Sequence, residues 1–245
     1  MSEKGSLPMR SIYEDGTYLE NNPAWHSGDS KWKASQIFQI LRSNDQSPKS
    51  VVEVGCGAGG VVAELAKLMH ETKFVGYDVS SQAIELAKLK ASDRVQFVLG
   101  DYFAMQNQIF DLAVCADVFE HIDDYLGFLR KLASKQKQVV FHVPLDLSLV
   151  STLFPSILIK TRKLVGHVHY FNKETAEATI RDCGFDIVDN RITAGCLAFP
   201  EPGIKGKLFW IIRKASFSIS PSFAAKTLGG FSLIILAQSN TFNNK

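Results

Sequence analysis

Neither sign of charge dominates this chain: 27 Lys and Arg residues face 25 Asp and Glu, a formal net charge of +2. That balance removes the case for general nucleic-acid binding, which needs an excess of cations against phosphate. Long apolar runs are also missing. The most apolar tracts are "LSLVSTLFPSILI" (Leu147–Ile159) and "LGGFSLIILA" (Leu228–Ala237), and both fall well short of the roughly 20 residues that span a bilayer. The opening "MSEKGSLPMR" lacks the apolar stretch of a secretory signal. Cysteine is scarce, and Cys56, Cys115, Cys183 and Cys196 show neither C-x-x-C spacing nor a histidine cluster of zinc type. They read as reduced, buried thiols in a soluble cytoplasmic protein, with no metal site expected.

What is present is rhythm. From residue 51, short apolar runs alternate with segments of helical period. "SVVEV", "KFVGYDV", "RVQFVLG", "FDLAVCA" and "KQVVFHVP" read as strands. "GVVAELAKLMH", "SQAIELAKLKA" and "EHIDDYLGFLRKLASK" read as the helices between them, with Ser80 or Ser81 as an N-cap. This alternation predicts a parallel sheet covered by helices on both faces, in one α/β domain over 1–245. After Pro144 comes an apolar insertion, 145–165, broken by Pro155. Helix "NKETAEATIRDCG" then stops at Gly184, and strand "FDIVDNRITA" follows. A second insertion, 199–227, reads as irregular and leads to the last strand, "GGFSLIILAQS". With no helix predicted between these two strands, they are expected to pair antiparallel. Residues 10–47 are expected to form a helical N-terminal extension or lid.

The stretch "VVEVGCGAGG" fits G-x-G-x-x-G at Gly55, Gly57 and Gly60, a pattern that several nucleotide-binding loops share. In open α/β sheets such loops hold ligands at the carboxyl ends of strands. Glu53 sits badly with a dinucleotide. Side chains alternate along a strand, so Glu53 points away from the face of Val52 and Val54. A carboxylate there is costly to bury unless a cation or donor meets it. The pyrophosphate of NAD supplies neither, whereas the ammonium group of a bound amino acid does. Asp78 ends the second strand, where it can accept from ribose hydroxyls. Asp101 follows the third, placed to accept from an adenine amino group with Tyr102 or Phe103 on the ring. Asp117 ends the fourth.

Together, "VVEVGCGAGG", "GYDVS", "LGDYF", "FDLAVCADVFEHIDD" and "HVHYFNKETAEATIRDCGFDIVD" resemble the ordered motifs of class I S-adenosylmethionine-dependent methyltransferases, over about residues 50–195 and the last strand. The resemblance implies a doubly wound, Rossmann-like, seven-stranded, mostly parallel sheet of order 3-2-1-4-5-7-6 with strand 7 antiparallel. It makes Gly55, Gly57 and Gly59 the glycines that matter. It places Glu53 and the glycine loop near the methionine moiety, Asp78 and Val79 near the ribose, Asp101 and Tyr102 near the adenine, and Asp117 and Val118 at the fourth strand's end. The cofactor it implies is S-adenosyl-L-methionine, and the acceptor a small molecule methylated on oxygen or nitrogen.

Methyl transfer from a sulfonium needs alignment and exclusion of water, and a base only where the acceptor loses a proton. His121, in "EHI", is the first candidate base and His142 the second, with His167 and His169 behind them. Glu120 reads as a first-turn residue favoured by the helix dipole. Trp25, His26, Trp32 and Lys33 precede a helical run in which Ile37, Ile40 and Leu41 face inward. Segment 204–226 carries Lys205, Lys207, Arg213, Lys214 and Lys226, interleaved with aromatic and aliphatic residues and no acid. It reads as a lid over the acceptor or a peripheral contact with a membrane surface. "ADVF" stands where base-amino methyltransferases carry an "NPPY"-type tetrapeptide, so no nucleic-acid partner is expected. Two competitors share some of these features: a nicotinamide-dependent oxidoreductase, which leaves Glu53 and Asp101 without a role, and a non-catalytic adenosylmethionine-binding subunit.

Overall fold

The computed structural model describes residues 28–104, 109–200 and 202–242. Seven strands form one sheet: β1 (Ser50–Val54), β2 (Lys73–Asp78), β3 (Val95–Leu99), β4 (Leu112–Ala116), β5 (Gln138–Leu145), β6 (Phe185–Thr193) and β7 (Phe231–Ser239). Their order is β3-β2-β1-β4-β5-β7-β6. The first five run parallel, and β7 lies antiparallel between β5 and β6. The order reverses between β1 and β4, which opens a crevice at the carboxyl ends of those two strands.

Alternation within the strands divides the core in two. Val52, Val54, Ala113, Phe141 and Val143 pack on one face. Val51, Leu112, Val114 and Val140 pack on the other, against helix α1 (Ser30–Ser43) and helix α2 (Gly60–Leu68). Ile37, Ile40 and Leu41 of α1 are buried there as expected. Helix α3 (Ser81–Lys88) starts at Ser80, whose hydroxyl accepts from the Ala83 amide. Residues 10–27 of the expected extension, with Trp25 and His26, lie outside the described residues.

Helix α4 (Tyr125–Lys135) begins later than the apolar period suggests. Asp124 caps it by accepting from the Gly127 amide at 2.9 Å, and Phe119–His121 form a separate 3₁₀ turn. The 145–165 insertion folds as α5 (Leu149–Leu153) and α6 (Ser156–Val165), divided at Pro155, and α7 (Lys173–Asp182) stops before Gly184. The 199–227 insertion is not irregular. After the short α8 (Gly195–Ala198) it forms α9 (Gly203–Ile219) and α10 (Pro221–Leu228). Pro221 opens α10 at a position where its missing amide donor is harmless. The strands on either side pair antiparallel even though helices connect them. Cys56, Cys115 and Cys183 are buried, Cys196 is partly open, and all four are free thiols. No described helix is long and apolar enough to cross a membrane.

Candidate active site

At the carboxyl edge of β1 the chain turns sharply into α2. Gly55, Gly57 and Gly59 all take positive φ (76°, 51° and 72°), conformations that exclude most side chains. A Cβ on Gly55 would meet Val118, and one on Gly59 would meet the Phe97 ring at 2.4 Å. The loop is tied down by the next strand: Asp78 accepts from the Gly57 amide at 2.7 Å and from the Ser80 amide at 2.8 Å. Burial raises the Asp78 carboxyl above its ordinary value, and these amides pull it back. Each Asp78 oxygen keeps a second acceptor direction for a ligand hydroxyl. Val79, next in line, is exposed.

Glu53 lies on the α1–α2 side of β1 and is only 3% exposed. Its Oε2 has no hydrogen-bond partner among the described residues. Burial pushes the carboxyl up to about 8, against the charge of Lys33 and a hydrogen bond from the Val62 amide. It is thus held near neutral pH between its two forms, waiting for a donor or cation to fix the charged one.

Lys33 of α1 is the charge that sequence reading left in a lid. Its ammonium bonds Asp117 at 2.7 Å and Asp29 at 2.9 Å. Asp117 in turn receives His142 Nδ1 at 2.6 Å, and the far nitrogen of His142 contacts Thr193 Oγ1 at 3.3 Å. Burial alone would raise the Asp117 carboxyl, but His142 and Lys33 overrule it and hold it far below the usual range. Burial likewise works to lower the Lys33 ammonium, and Asp117 and Asp29 reverse this. Asp117 has φ 54°, a left-handed turn that aspartate tolerates better than most residues. His142 is 2% exposed with both ring nitrogens held inside the protein. Its surroundings are those of a strut for Asp117, not of a base open to an acceptor.

His121 lies at the crevice. Its Nδ1 is 3.1 Å from the Gly166 carbonyl, which can only accept. The carbonyl holds a proton on Nδ1, and Nε2 lies 3.9 Å from Glu120 Oε1. His167 packs beside it, 4.8 Å between ring centroids, and its own Nδ1 is held by Asp146. His169 Nε2 bonds the Ile122 carbonyl at 3.0 Å and faces the Tyr125 ring.

Glu120 sits in the first turn of the 3₁₀ segment Phe119–His121, and it is buried there. It is 0% exposed, neither oxygen has a hydrogen-bond partner among the described residues, and burial with the charge of Asp117 raises its carboxyl well above the ordinary value. The ligand atoms of Glu120, His121 and His167 lie within 4.8 Å of one another. His167 joins this group from the loop before α7, a proximity that no sequence spacing reveals.

At the adenine end the positions divide. Asp101 is exposed and accepts from the Phe103 amide at 2.8 Å. Tyr102 is 1% exposed. Its ring is enclosed by Tyr77, Phe103 and Phe110, and its hydroxyl is bonded by Gln136. Of the two aromatics, only Phe103 keeps part of its surface open.

Comparison with known proteins places this geometry. The methyltransferase domain family matches residues 27–190. A ubiquinone biosynthesis O-methyltransferase of Vibrio vulnificus is 30% identical over 125 residues, 48% of this chain and 52% of that protein. Norajmaline N-methyltransferase of Rauvolfia serpentina is 27% identical over 131 residues, 48% of this chain and 44% of that protein. The chain thus matches these curated relatives over about half their length. Among solved structures, mitomycin 7-O-methyltransferase MmcR superposes with a TM-score of 0.63 at 16% identity, covering 96% of this chain and 62% of that one. The plantazolicin methyltransferase BpumL, solved with S-adenosylhomocysteine and a substrate analogue, gives 0.55 at 14% identity, covering 94% and 90%. These likenesses show the same fold. Strand order, glycine loop and matched domain agree: the chain belongs to the methyltransferase domain family, in the class I group of S-adenosylmethionine-dependent methyltransferases.

Proposed function

We propose that this protein transfers a methyl group from S-adenosylmethionine to an oxygen or nitrogen atom of a small molecule. The observation that carries the reading is Glu53, a buried carboxyl with an unpartnered oxygen at the mouth of the glycine loop. The methionine end of the cofactor has the ammonium group such a site lacks, and a nicotinamide dinucleotide does not. In this proposal Gly55, Gly57 and Gly59 leave room for the cofactor backbone beside Glu53. Asp78 and Val79 meet the ribose. Asp101 and Tyr102 mark the adenine end, with Phe103 the more open ring. Asp117 and Val118 border the reacting end. Asp117 is kept charged and fixed by Lys33 and His142. The described part of the extension and the two insertions serve as walls of the acceptor site within the single domain.

His121 is the proposed base, held at Nδ1 by the Gly166 carbonyl with its Nε2 on the side of Glu120. The test is release of S-adenosylhomocysteine across small hydroxyl and amine acceptors. The expected result is turnover with some of them, and a His121→Gln loss confined to hydroxyl acceptors. Cofactor binding without turnover on any acceptor would assign the chain to non-catalytic subunits instead.

The membrane contact expected for 204–226 remains part of the proposal, supported by exposure. Ile204 is 89% and Ile219 85% exposed on α9, and Leu208 and Ile211 are also open. Lys205, Lys207 and Lys214 lie among them. An apolar helix surface studded with cations suits an anionic bilayer. Co-sedimentation with phosphatidylglycerol vesicles is expected, and a Leu208→Glu, Ile211→Glu chain should stay in the supernatant. Wild-type protein that ignores these vesicles would remove the membrane contact.

A further inference from the structure

A cavity of about 290 Å³ opens beside the charged network, lined by Asp29, Trp32, Cys196, Phe199, Arg213 and Gly230. Its size is at the lower end of small-molecule pockets. It adjoins the network of Lys33, Asp117 and His142 through Asp29 and Trp32. Trp32 is the neighbour of Lys33 in α1, and its ring stands edge-on to His142 at 5.9 Å. Trp32 also stands edge-on to Phe199 at 6.4 Å, so two aromatic rings form walls at right angles. Gly195 lies against the Trp32 ring, where an added Cβ would make an ordinary contact at 3.4 Å.

The pocket's two charged groups, Asp29 and Arg213, do not pair with each other among the described residues. Asp29 gives one carboxylate oxygen to Lys33, which it shares with Asp117, and its other oxygen has no hydrogen-bond partner there. Arg213 has no carboxylate within salt-bridge distance among the described residues, and its buried Nε has no hydrogen-bond partner. Its guanidinium is fixed in place: it lies 4.3 Å from the Phe209 ring centre, and a Cβ at Gly230 would fall 2.6 Å from Nη2. A positioned, half-buried guanidinium with spare donors binds a carboxylate by paired, charge-assisted hydrogen bonds. An aromatic wall of this kind favours a flat ring laid against its open side.

Building on the methyltransferase reading, we infer that this cavity is the acceptor site and that it takes a small aromatic carboxylate, its ring against the wall that Trp32 and Phe199 form and its carboxylate on Arg213. The acceptor's methylated atom then faces the end of β4 where Asp117 lies.

The test is calorimetric titration of S-adenosylhomocysteine-loaded protein with 4-hydroxybenzoate and with its uncharged methyl ester. A charge-assisted pair corresponds to roughly a tenfold to hundredfold difference. The expected result is that the acid binds at least about tenfold more tightly than the ester. Arg213→Gln should abolish the preference, and Arg213→Lys should keep part of it, with S-adenosylhomocysteine affinity unchanged in both variants. Equal binding of acid and ester, binding of neither, a preference that survives Arg213→Gln, or competition between 4-hydroxybenzoate and S-adenosylhomocysteine would each overturn the inference. Failure of S-adenosylhomocysteine to bind wild-type protein would count against the methyltransferase reading, a separate result.

Discussion

Replacing Lys33 by methionine is expected to lower the melting temperature by roughly 5 to 10 °C. The side chain bridges Asp29 and Asp117 at 2.9 and 2.7 Å, and removing its charge leaves Asp117 with His142 alone. Breaking a fully buried pair costs about 3 to 5 kcal/mol. The Asp117 side chain is 23% exposed, so solvent screening reduces this to about 2 to 3 kcal/mol. At 2 to 4 °C per kcal/mol for a domain of this size, that gives the expected shift. A second substitution separates charge from packing. Asp117→Asn keeps the left-handed turn at φ 54°, which asparagine also accepts. Added to Lys33→Met, it should recover the part of the lost stability that belongs to Asp117, while Asp29 stays without its partner.

The pH window follows from the two shifts. The Asp117 carboxyl is depressed, so its contribution is present above the ordinary aspartate value and lost only in strong acid. The Lys33 ammonium is raised, so its contribution is full below the ordinary lysine value and lost only as pH rises beyond it. Across neutral pH the difference between wild type and Lys33→Met should therefore stay constant. A Lys33→Met protein that melts with wild type would show that the bridge adds nothing.

How much of this was legible in the sequence follows from where partners lie along the chain. Strand alternation and the acid at each strand end are local patterns, and from β1 to β5 they read directly. The orientation of Glu53, opposite Val52 and Val54, follows from the two-residue period alone. The role of Lys33 was hidden because Asp117 comes from the end of β4, far along the chain, and nothing near Lys33 in sequence marks it. The burial of Glu120 was hidden for a related reason. "EHI" reads as a first turn, and only the 166–169 loop closes over it, with the Val168 and His169 amides on the Glu120 carbonyl. Tyr102 looked like an adenine platform beside Asp101, but its ring fills the space between Tyr77 and Phe110. Helix α9 escaped because its inner face, Gly206, Phe209, Trp210, Arg213, Ser216 and Phe217, mixes aromatic residues with glycine, serine and a cation, while Ile204, Leu208, Ile211 and Ile219 stand on the open side.

The second large effect belongs to Glu53. In the free protein its carboxyl is raised to about 8, from an ordinary glutamate value near 4.5. The sign is that of a raised group: its contribution is full below the ordinary value and is lost as pH rises through 8. Wild-type free protein should therefore melt lower at pH 8 than at pH 6, and Glu53→Gln should remove that slope. Ligand binding runs the other way. A cofactor whose ammonium group needs the charged carboxylate must displace a proton below pH 8, so affinity should climb by up to about tenfold per pH unit between about pH 6 and about pH 7.5. Glu53→Gln should flatten this dependence and weaken binding by roughly tenfold to a hundredfold near pH 8, the range expected for a hydrogen bond to a charged group.

The decisive measurement is calorimetric titration of wild-type and Glu53→Gln protein with S-adenosylmethionine and with NADH near pH 8. The account predicts micromolar binding of S-adenosylmethionine to wild type, a clear loss in Glu53→Gln, and no heat from NADH with either. Binding of NADH alone, or S-adenosylmethionine affinity that is the same with glutamine at position 53, would contradict it.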